Sequence, residues 1–152
     1  LEEEIRLVDN YIYILNVRFS GEIHFEKKVD ESLLGVHIPS MLLQPIVENS
    51  VNYGIRNIDW EGRIVLSVYR EEEKVCISIK DNGVGMTEER IAQVMQNCIS
   101  HQEDTGDSNG VGLNNVMERL HLFFDGAEEF VMMSEGPGRG TEVVIRIPYL
   151  KM

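Results

Sequence analysis

The chain has 152 residues, of which 43% are hydrophobic and 26% are charged, and its formal net charge is -12. These values suit one domain with a single core, and the acidic balance argues against nucleic acid as a partner, because that partner needs a basic face. No apolar run approaches membrane-spanning length, and the two cysteines lack metal-ligand spacing. The start, Leu1 followed by three glutamates, resembles neither a signal peptide nor a natural N-terminus. We expect a cytoplasmic piece of a longer protein.

The first predicted element is a helix that runs to about Arg18. Its apolar residues recur at alternating spacings of four and three, which places them on one stripe. Such a stripe suits a helix packed on its own domain, or the seam of a coiled coil or dimerisation helix. Fewer than three heptads leave both interpretations open. The stripe consists of Leu1, Ile5, Val8, Ile12, Leu15 and Phe19.

Alternation of apolar and polar residues predicts five strands. The first covers residues 23–29, and a charged turn joins two more at 63–69 and 75–80. In the strand 75–80, the odd-numbered residues are expected to face the core and the even-numbered ones to face away, as in a half-buried strand. Two closing strands are predicted at 130–133 and 142–147.

A second helix is predicted to begin at Pro39, to kink or restart at Pro45, which lacks an N–H donor, and to end at Gly54. Three of its polar residues share a face beside an apolar stripe. Polar groups that adjoin a core face suit a ligand site, whereas an ordinary solvated face is the alternative. The three residues are Asn49, Asn52 and Tyr53.

The sequence DNGVGM, residues 81–86, connects the strand 75–80 to a helix. Asp81 is fixed at the strand end, while Gly83 and Gly85 allow a sharp turn and let a planar ligand approach the backbone without meeting a Cβ. The motif suits a ligand site. A plain turn is the alternative, because Asp-Asn-Gly is common turn chemistry.

A third helix is predicted from Thr87, a plausible N-terminal cap, to near Cys98. The polar stretch 99–109 that follows is typical of a lid or binding loop. Gly110 and Gly112 then lead into a fourth helix. Free backbone N–H groups at such a helix start are the usual site for a phosphate.

Several common site types are missing from the sequence. Neither glycine-rich segment has the lysine of a Walker-type loop or the third glycine of the dinucleotide-binding fingerprint. No two histidines have metal-ligand spacing, and no nucleophile triad is found. The histidines are His24, His37, His101 and His121.

Four motifs in order carry a resemblance that covers nearly the whole chain: LQPIVENSVNYG, DNGVGM, GVGLNNVMERL and GRGTEVVIRIP. Together they resemble the GHKL ATP-binding superfamily, and within it the catalytic domain of LytS/YesM-like sensor histidine kinases. The resemblance implies an α/β (α+β) fold, a two-layer sandwich with helices on one face of a mixed sheet and a mobile ATP lid. Residues 1–20 would be a helix from the end of the dimerisation region, and residues 21–152 the catalytic domain.

The resemblance also implies roles for single residues. Asp81 would accept a hydrogen bond from the adenine amino group, Asn49 would bind Mg²⁺, and Glu48 would be the acid that orients or deprotonates the attacking group. Gly110, Val111, Gly112 and Leu113 would present backbone N–H groups to the phosphates. The residues assigned to ATP are Asn49, Asn52, Tyr53, Asp81, Gly83, Gly85, Met86, Gly110, Val111, Gly112, Leu113 and Thr141.

Three positions depart from the family pattern. Related kinases commonly carry Lys-His where this chain has Asn52 and Tyr53, and Arg where it has Met117. Two positive charges near the triphosphate are therefore missing, and weaker ATP binding is expected unless Arg119 and Arg139 compensate.

The function implied by the resemblance is transfer of the ATP γ-phosphoryl group to a histidine upstream of this sequence, for relay to a response regulator. None of the four histidines has the setting of the acceptor. The whole protein would be a membrane-anchored homodimer with this domain in the bacterial cytoplasm. An anti-sigma-type serine kinase and a nucleotide-sensing module without catalysis are the alternatives.

Overall fold

The computed structural model describes residues 1–18, 23–55, 58, 61–100 and 109–149. The expected loop at 101–108 lies outside the described residues. The architecture is a five-stranded mixed sheet with helices packed on one face, as the sequence predicts. Within the described part of the chain, no helix is both long enough and apolar enough to span a membrane.

The sheet has the strand order β1-β2-β3-β5-β4. β1 pairs in parallel with β2, and the other neighbouring pairs are antiparallel. The ends of the predicted strands differ from the observed ones by at most two residues. The strands are β1 Ile23–Val29, β2 Gly62–Glu71, β3 Lys74–Asp81, β4 Glu129–Met133 and β5 Thr141–Pro148.

The helices are α1 Glu2–Arg18, α2 Leu43–Asn49, α3 Glu88–Ser100 and α4 Asn109–Phe124, with a 3₁₀ turn at Glu31–Leu33 and a π-helical segment at Ser50–Ile55 that continues α2. One face of the sheet supplies the apolar layer beneath them. Because successive side chains on a strand alternate in direction, only every second residue belongs to this layer. Its buried members include Ile64, Leu66, Val68, Val75, Ile77, Ile79, Val143, Ile145 and Ile147.

The opposite face of β3 is also buried, which the half-buried pattern did not predict. Cys76 is 0% exposed and Ser78 is 5% exposed. β3 is the central strand, so side chains of flanking strands cover it from both sides. The Cys76 thiol donates to Glu71 Oε2 at 3.5 Å, and the Ser78 hydroxyl donates to Glu142 Oε2 at 2.6 Å. Long polar side chains thus cover this face without a second layer of helices.

The apolar stripe of α1 packs on its own domain. Ile5, Val8 and Ile12 are buried in the common core, which supports the first of the two interpretations. A different set of apolar side chains on the same helix remains exposed, with Leu7 and Ile14 seven residues apart. The exposed set is Leu7, Tyr13, Ile14 and Val17.

The helix start predicted at Pro39 is wrong, and in place of the kink or restart predicted at Pro45 a new helix starts two residues earlier. α2 begins at Leu43, after Met41 has adopted a left-handed conformation with φ 59° that interrupts any helix from Pro39. Pro45 is then the third helical residue, in the first turn, where the missing N–H breaks no intrahelical bond. The helical path also continues one residue past Gly54, its predicted end.

The helices around the expected lid differ from the sequence prediction at their ends. The Thr87 cap is confirmed, since its hydroxyl accepts from the Arg90 N–H at 3.1 Å. α3 continues to Ser100, and α4 already begins at Asn109, so both ends of the predicted lid are helical. The glycines at 110 and 112 therefore lie in the first turn of α4 and not ahead of it. First-turn N–H groups lack intrahelical partners, so the helix start still presents free donors.

Candidate functional site

The candidate site is centred on Asp81, the last residue of β3. Strand alternation points its side chain to the same face as Ile77 and Ile79, toward the helices. The residue is only 4% exposed. Its Oδ1 atom accepts hydrogen bonds from the Gly83 N–H at 2.9 Å and from the Thr141 N–H at 3.2 Å. The next loop and strand β5 thus hold the carboxylate in one orientation.

Burial raises the pKa of Asp81 above its ordinary value, because desolvation penalises the charged form. Hydrogen bonds from Gly83, Ser50 and Thr141 act in the opposite direction but are outweighed by the burial. The ion pairs formed between described residues do not include Asp81. A buried carboxylate without a cationic partner is costly, and such groups are common at functional sites.

The π-helical segment Ser50–Ile55 lies directly against this carboxylate. A Cβ added at Gly54 would lie 3.0 Å from Asp81 Oδ1, and the Gly54 carbonyl accepts from the Val84 N–H at 2.9 Å. Gly54 is therefore part of the site, although the sequence suggested only a helix end. The available signal was its position directly after the polar face formed by Asn49, Asn52 and Tyr53.

The glycines of the DNGVGM loop fulfil one of the two roles that the sequence suggested, since Gly85 has φ 73° in a sharp turn, but not the other. A Cβ at Gly83 would overlap the backbone of Gly54, and one at Gly85 would overlap the carbonyl of Gly136. The space beside each glycine is thus filled by protein backbone, whereas the sequence suggested room for a planar ligand. Close backbone packing holds the loop in place around Asp81.

A second loop, residues 134–140, fixes the other side of this motif. Its Gly138 N–H donates to the Val84 carbonyl at 2.6 Å. The Ser134 hydroxyl accepts from the Met86 N–H at 3.0 Å and donates to the Gly140 carbonyl at 2.5 Å. Ser134 was not identified from the sequence, because a serine in a loop of small residues carries no distinguishing signal. The structure thereby brings Asp81, Gly83, Gly85, Met86 and Thr141 into one cluster.

The end of α2 places Glu48 and Asn49 just before the π-helical segment. Both are half-buried, as is Tyr53, whereas Asn52 is exposed. The Gln44 amide donates to Glu48 Oε1 at 3.1 Å, one turn earlier on the same helix. Glu48 also lies close enough to α1 that its charge, together with the larger effect of burial, raises the pKa of Tyr11. Its carboxylate is therefore in the region between α2 and α1.

α4 packs against α2 and α3 and supplies the remaining predicted residues. Leu113 is 1% exposed and its side chain belongs to the core, and because α4 begins at Asn109 its N–H is paired within the helix, which does not suit the predicted role of a phosphate donor. For Gly110, Val111 and Gly112, the structure describes the backbone, which is helical. Arg119 donates to the carbonyls of Ser40 at 3.0 Å and Met41 at 3.4 Å, before the start of α2. Arg139 lies in the loop 134–140 and is exposed, and compensation near the triphosphate by either arginine stays a prediction.

The residues present fit a nucleotide with a magnesium ion. Asp81 offers a buried acceptor beside a glycine, and the first turn of α4 offers backbone donors of the kind that bind phosphate. Among the described residues, no group of three His, Cys, Asp or Glu side chains could hold a metal ion. Magnesium would therefore need phosphate oxygens and water besides Asn49, which is the coordination that this ion prefers.

Comparison with curated proteins identifies sensor kinases as relatives. The Bacillus subtilis sensor histidine kinase YesM is 32% identical over 97% of this chain and 23% of its own length. The Oceanobacillus iheyensis sensor protein LytS is 29% identical over 98% of this chain and 25% of its own length. The chain thus spans about a quarter of the length of these relatives.

Solved structures with the same fold are histidine kinase catalytic domains. The catalytic domain of histidine kinase ThkA superimposes with a TM-score of 0.66 at 18% identity, over 97% of this chain and 90% of that one. The mycobacterial sensor histidine kinase MprB gives 0.64 at 19% identity, over 97% and 95%. A family model described as histidine kinase-, DNA gyrase B-, and HSP90-like ATPase matches residues 39–151. The resemblance seen in the four motifs is confirmed, and the chain belongs to this family of ATPases.

Proposed function

We propose that the chain is the ATP-binding catalytic domain of a sensor histidine kinase and that it transfers the γ-phosphoryl group of ATP to a histidine upstream of this sequence. The observation that supports this most strongly is the buried carboxylate of Asp81, held by the Gly83 and Thr141 amides and facing Gly54. Its residue type, its burial and its position at a strand end all suit recognition of an adenine amino group.

Asp81 would select adenine over guanine. An ionised carboxylate accepts a hydrogen bond from the adenine amino group, but it would face the carbonyl oxygen of guanine with a second acceptor. Opposed acceptors in a buried site leave both groups unpaired, which supports strong discrimination. The low exposure of Asp81, 4%, means that water cannot easily relieve the mismatch. Gly85, Met86 and Thr141 would complete the base side of the site.

The phosphate side would be formed by α2, the π-helical segment and the start of α4. Asn49 would be the protein ligand of Mg²⁺, with Asn52 and Tyr53 nearby and the free backbone N–H groups of Gly110 and Val111 directed at phosphate oxygens. Magnesium supplies neutralisation of phosphate charge when it is bound. Glu48, half-buried one residue before Asn49, would orient the attacking imidazole.

The proposed partners are the upstream phosphoacceptor and dimerisation region and a response regulator. The exposed apolar side chains of α1 support the first of these, because Leu7 and Ile14 are spaced as on a helix that meets another helix. We further propose that the domain works in the cytoplasm and that the whole protein is a membrane-anchored homodimer. The names of the relatives, sensor proteins of which this chain matches about a quarter, support this assignment.

A phosphotransfer assay tests the proposal. A form of the chain extended upstream should acquire acid-labile label from γ-labelled Mg-ATP, and Asn49→Asp should abolish the label by disturbing magnesium placement. The present chain alone should stay unlabelled, since His24 lies on β1 and His121 on α4. Acid-labile label on the isolated chain would contradict the proposal, and label on serine of an added partner would favour the anti-sigma class.

A non-catalytic nucleotide-sensing module is the second candidate. The uncharged residues Asn52, Tyr53 and Met117 favour it, because they stand where related kinases carry basic side chains near the triphosphate. Nucleotide binding without any label on the extended chain, with or without a response regulator, would support this candidate.

A further inference from the structure

The loop of residues 40–42, between Pro39 and α2, is hydrogen bonded from two sides by opposite charges. Glu4 of α1 accepts from the Leu42 N–H, and Arg119 of α4 donates to the carbonyls of Ser40 and Met41. We propose that Glu4 and Arg119 are positioning residues that clamp this loop and thereby couple the placement of α1 to that of the two nucleotide-binding helices. The link to nucleotide binding rests on the proposed function.

Glu4 supplies the N-terminal cap of α2 from a different helix. It is 7% exposed, and its Oε1 atom accepts from the Leu42 N–H at 2.7 Å and from the Leu43 N–H at 3.4 Å. Leu42, the cap residue of α2 itself, makes no side-chain capping bond. A carboxylate at this position also interacts favourably with the helix dipole. The start of α2 therefore depends on a side chain of α1.

Arg119 holds the same loop from α4. Its Nη1 atom donates to the Ser40 carbonyl at 3.0 Å and to the Met41 carbonyl at 3.4 Å. Met41 has φ 59°, a left-handed conformation that is unfavourable for a residue with a side chain. Such a conformation persists only where its surroundings hold it. The bonds from Glu4 and Arg119 lie on either side of this residue and provide that restraint.

Apolar packing does not fix the outer side of the loop. Residues 38–40 border an open groove of about 520 Å³, whose other described lining residues are Arg119, Leu122 and Phe123. Leu42 is buried in the core, but Ser40 and Met41 are exposed on this side, so the hydrogen bonds from the two charged residues determine where Ser40 and Met41 lie. Loss of either one should let the start of α2 move.

The helices α2 and α4 would carry a movement of this loop to the proposed nucleotide site. α2 is only seven residues long, and its last two residues are Glu48 and Asn49. α4 carries Arg119 and begins with the glycines proposed to face the phosphates. The proposed upstream region would join α1. A displacement of α1 would thus move Asn49, the proposed metal ligand on α2, relative to the proposed phosphate-binding turn at the start of α4.

Hydrogen exchange without nucleotide tests the clamp directly. Glu4→Leu should raise exchange at the amides of residues 42 and 43 and also at residues 113–116 of α4, which Glu4 does not contact. Glu4→Gln keeps an acceptor oxygen and should restore the wild-type pattern, and Glu3→Leu, at an exposed position of the same turn, is the matched control. Faster exchange confined to residues 42 and 43 would overturn the coupling. If Glu4→Leu does not fold, Glu4→Asp, which withdraws the carboxylate by one methylene, replaces it.

Calorimetric titration with Mg-ATP tests the consequence for binding. Glu4→Leu and Arg119→Leu should each raise the Kd about fivefold, and the double variant should bind no worse than about the weaker single variant, because both remove the same restraint. A double variant whose loss equals the product of the two single losses would overturn the proposal. If wild-type chain binds no ATP, the proposed function fails, while the exchange pattern still decides whether the clamp exists.

Discussion

The buried carboxylate of Asp81 should strengthen ATP binding but lower the stability of the fold near neutral pH. Replacement by Asn should weaken ATP binding about tenfold or more, because it removes the charged acceptor for the adenine amino group. The fold should survive, since an amide oxygen can still accept from the two amides that now bond Oδ1. Calorimetric titration of both proteins measures the loss. Normal ATP affinity in Asp81→Asn would place the base elsewhere.

The same substitution should stabilise the fold near neutral pH. The pKa of Asp81 is raised above its ordinary value of 3.8, so the unfolded chain loses this proton more readily than the folded chain. Wild-type stability therefore falls as the pH rises through that window, and Asn is free of this effect. Thermal melting should show a higher Tm for Asp81→Asn at pH 7, with the difference shrinking toward pH 3.8. A difference independent of pH would mean that the carboxylate is not desolvated.

At the scale of elements, the contact between the DNGVGM loop and the π-helical segment depends on two glycines. A methyl group on Gly83 would overlap the Gly54 backbone, which cannot move without displacing Asp81. Gly83→Ala should therefore destabilise the fold by about 2 kcal/mol or more. Gly35→Ala, where an added Cβ meets nothing within 4 Å, is the control and should be nearly neutral. Urea unfolding midpoints that shift equally in both variants would contradict this packing role.

These elements also show which parts of the structure could be predicted from the sequence. Period-two alternation located every strand, because it directly reports a sheet with one apolar face. The break before α2 was missed, since the left-handed Met41 is flanked by tertiary hydrogen bonds from Glu4 and Arg119, which local sequence does not reveal. For Gly83 the sequence predicted a special backbone position but not its neighbour, because contacts between distant segments leave no local pattern.

At the scale of the whole molecule, α1 is part of the folded unit. Val8 is 0% exposed and Ile12 4%, and Asn16 exchanges two hydrogen bonds with the backbone of Ile23 on β1. Removing residues 1–18 should therefore lower stability by about 5 kcal/mol, from the loss of several buried aliphatic side chains. Urea unfolding of the shortened and complete chains measures this. Ile14→Ser, at an exposed position of α1, should leave the midpoint unchanged, and an unaffected shortened chain would make α1 a separate unit.

The predicted boundary at residue 20, between a helix from the dimerisation region and the catalytic domain, therefore stays a prediction. The four motifs identified the ATPase family, since they report site chemistry that is local in sequence. They carried no information on how firmly α1 is attached, because the apolar stripe of a helix does not specify its partner. The exposed residues Leu7 and Ile14 form a second stripe, which the strict spacing of the first one obscured.

The covered outer face of β3 makes Cys76 a kinetic reporter of opening. Its side chain is shielded beside Glu71, and burial raises the pKa of its thiol, so the reactive thiolate is both inaccessible and scarce in the folded state. Alkylation at this position requires the side chains that cover the thiol, Glu71 among them, to move aside. In a Cys98→Ser background, the labelling rate at a given reagent concentration would therefore measure how often this cover of side chains opens.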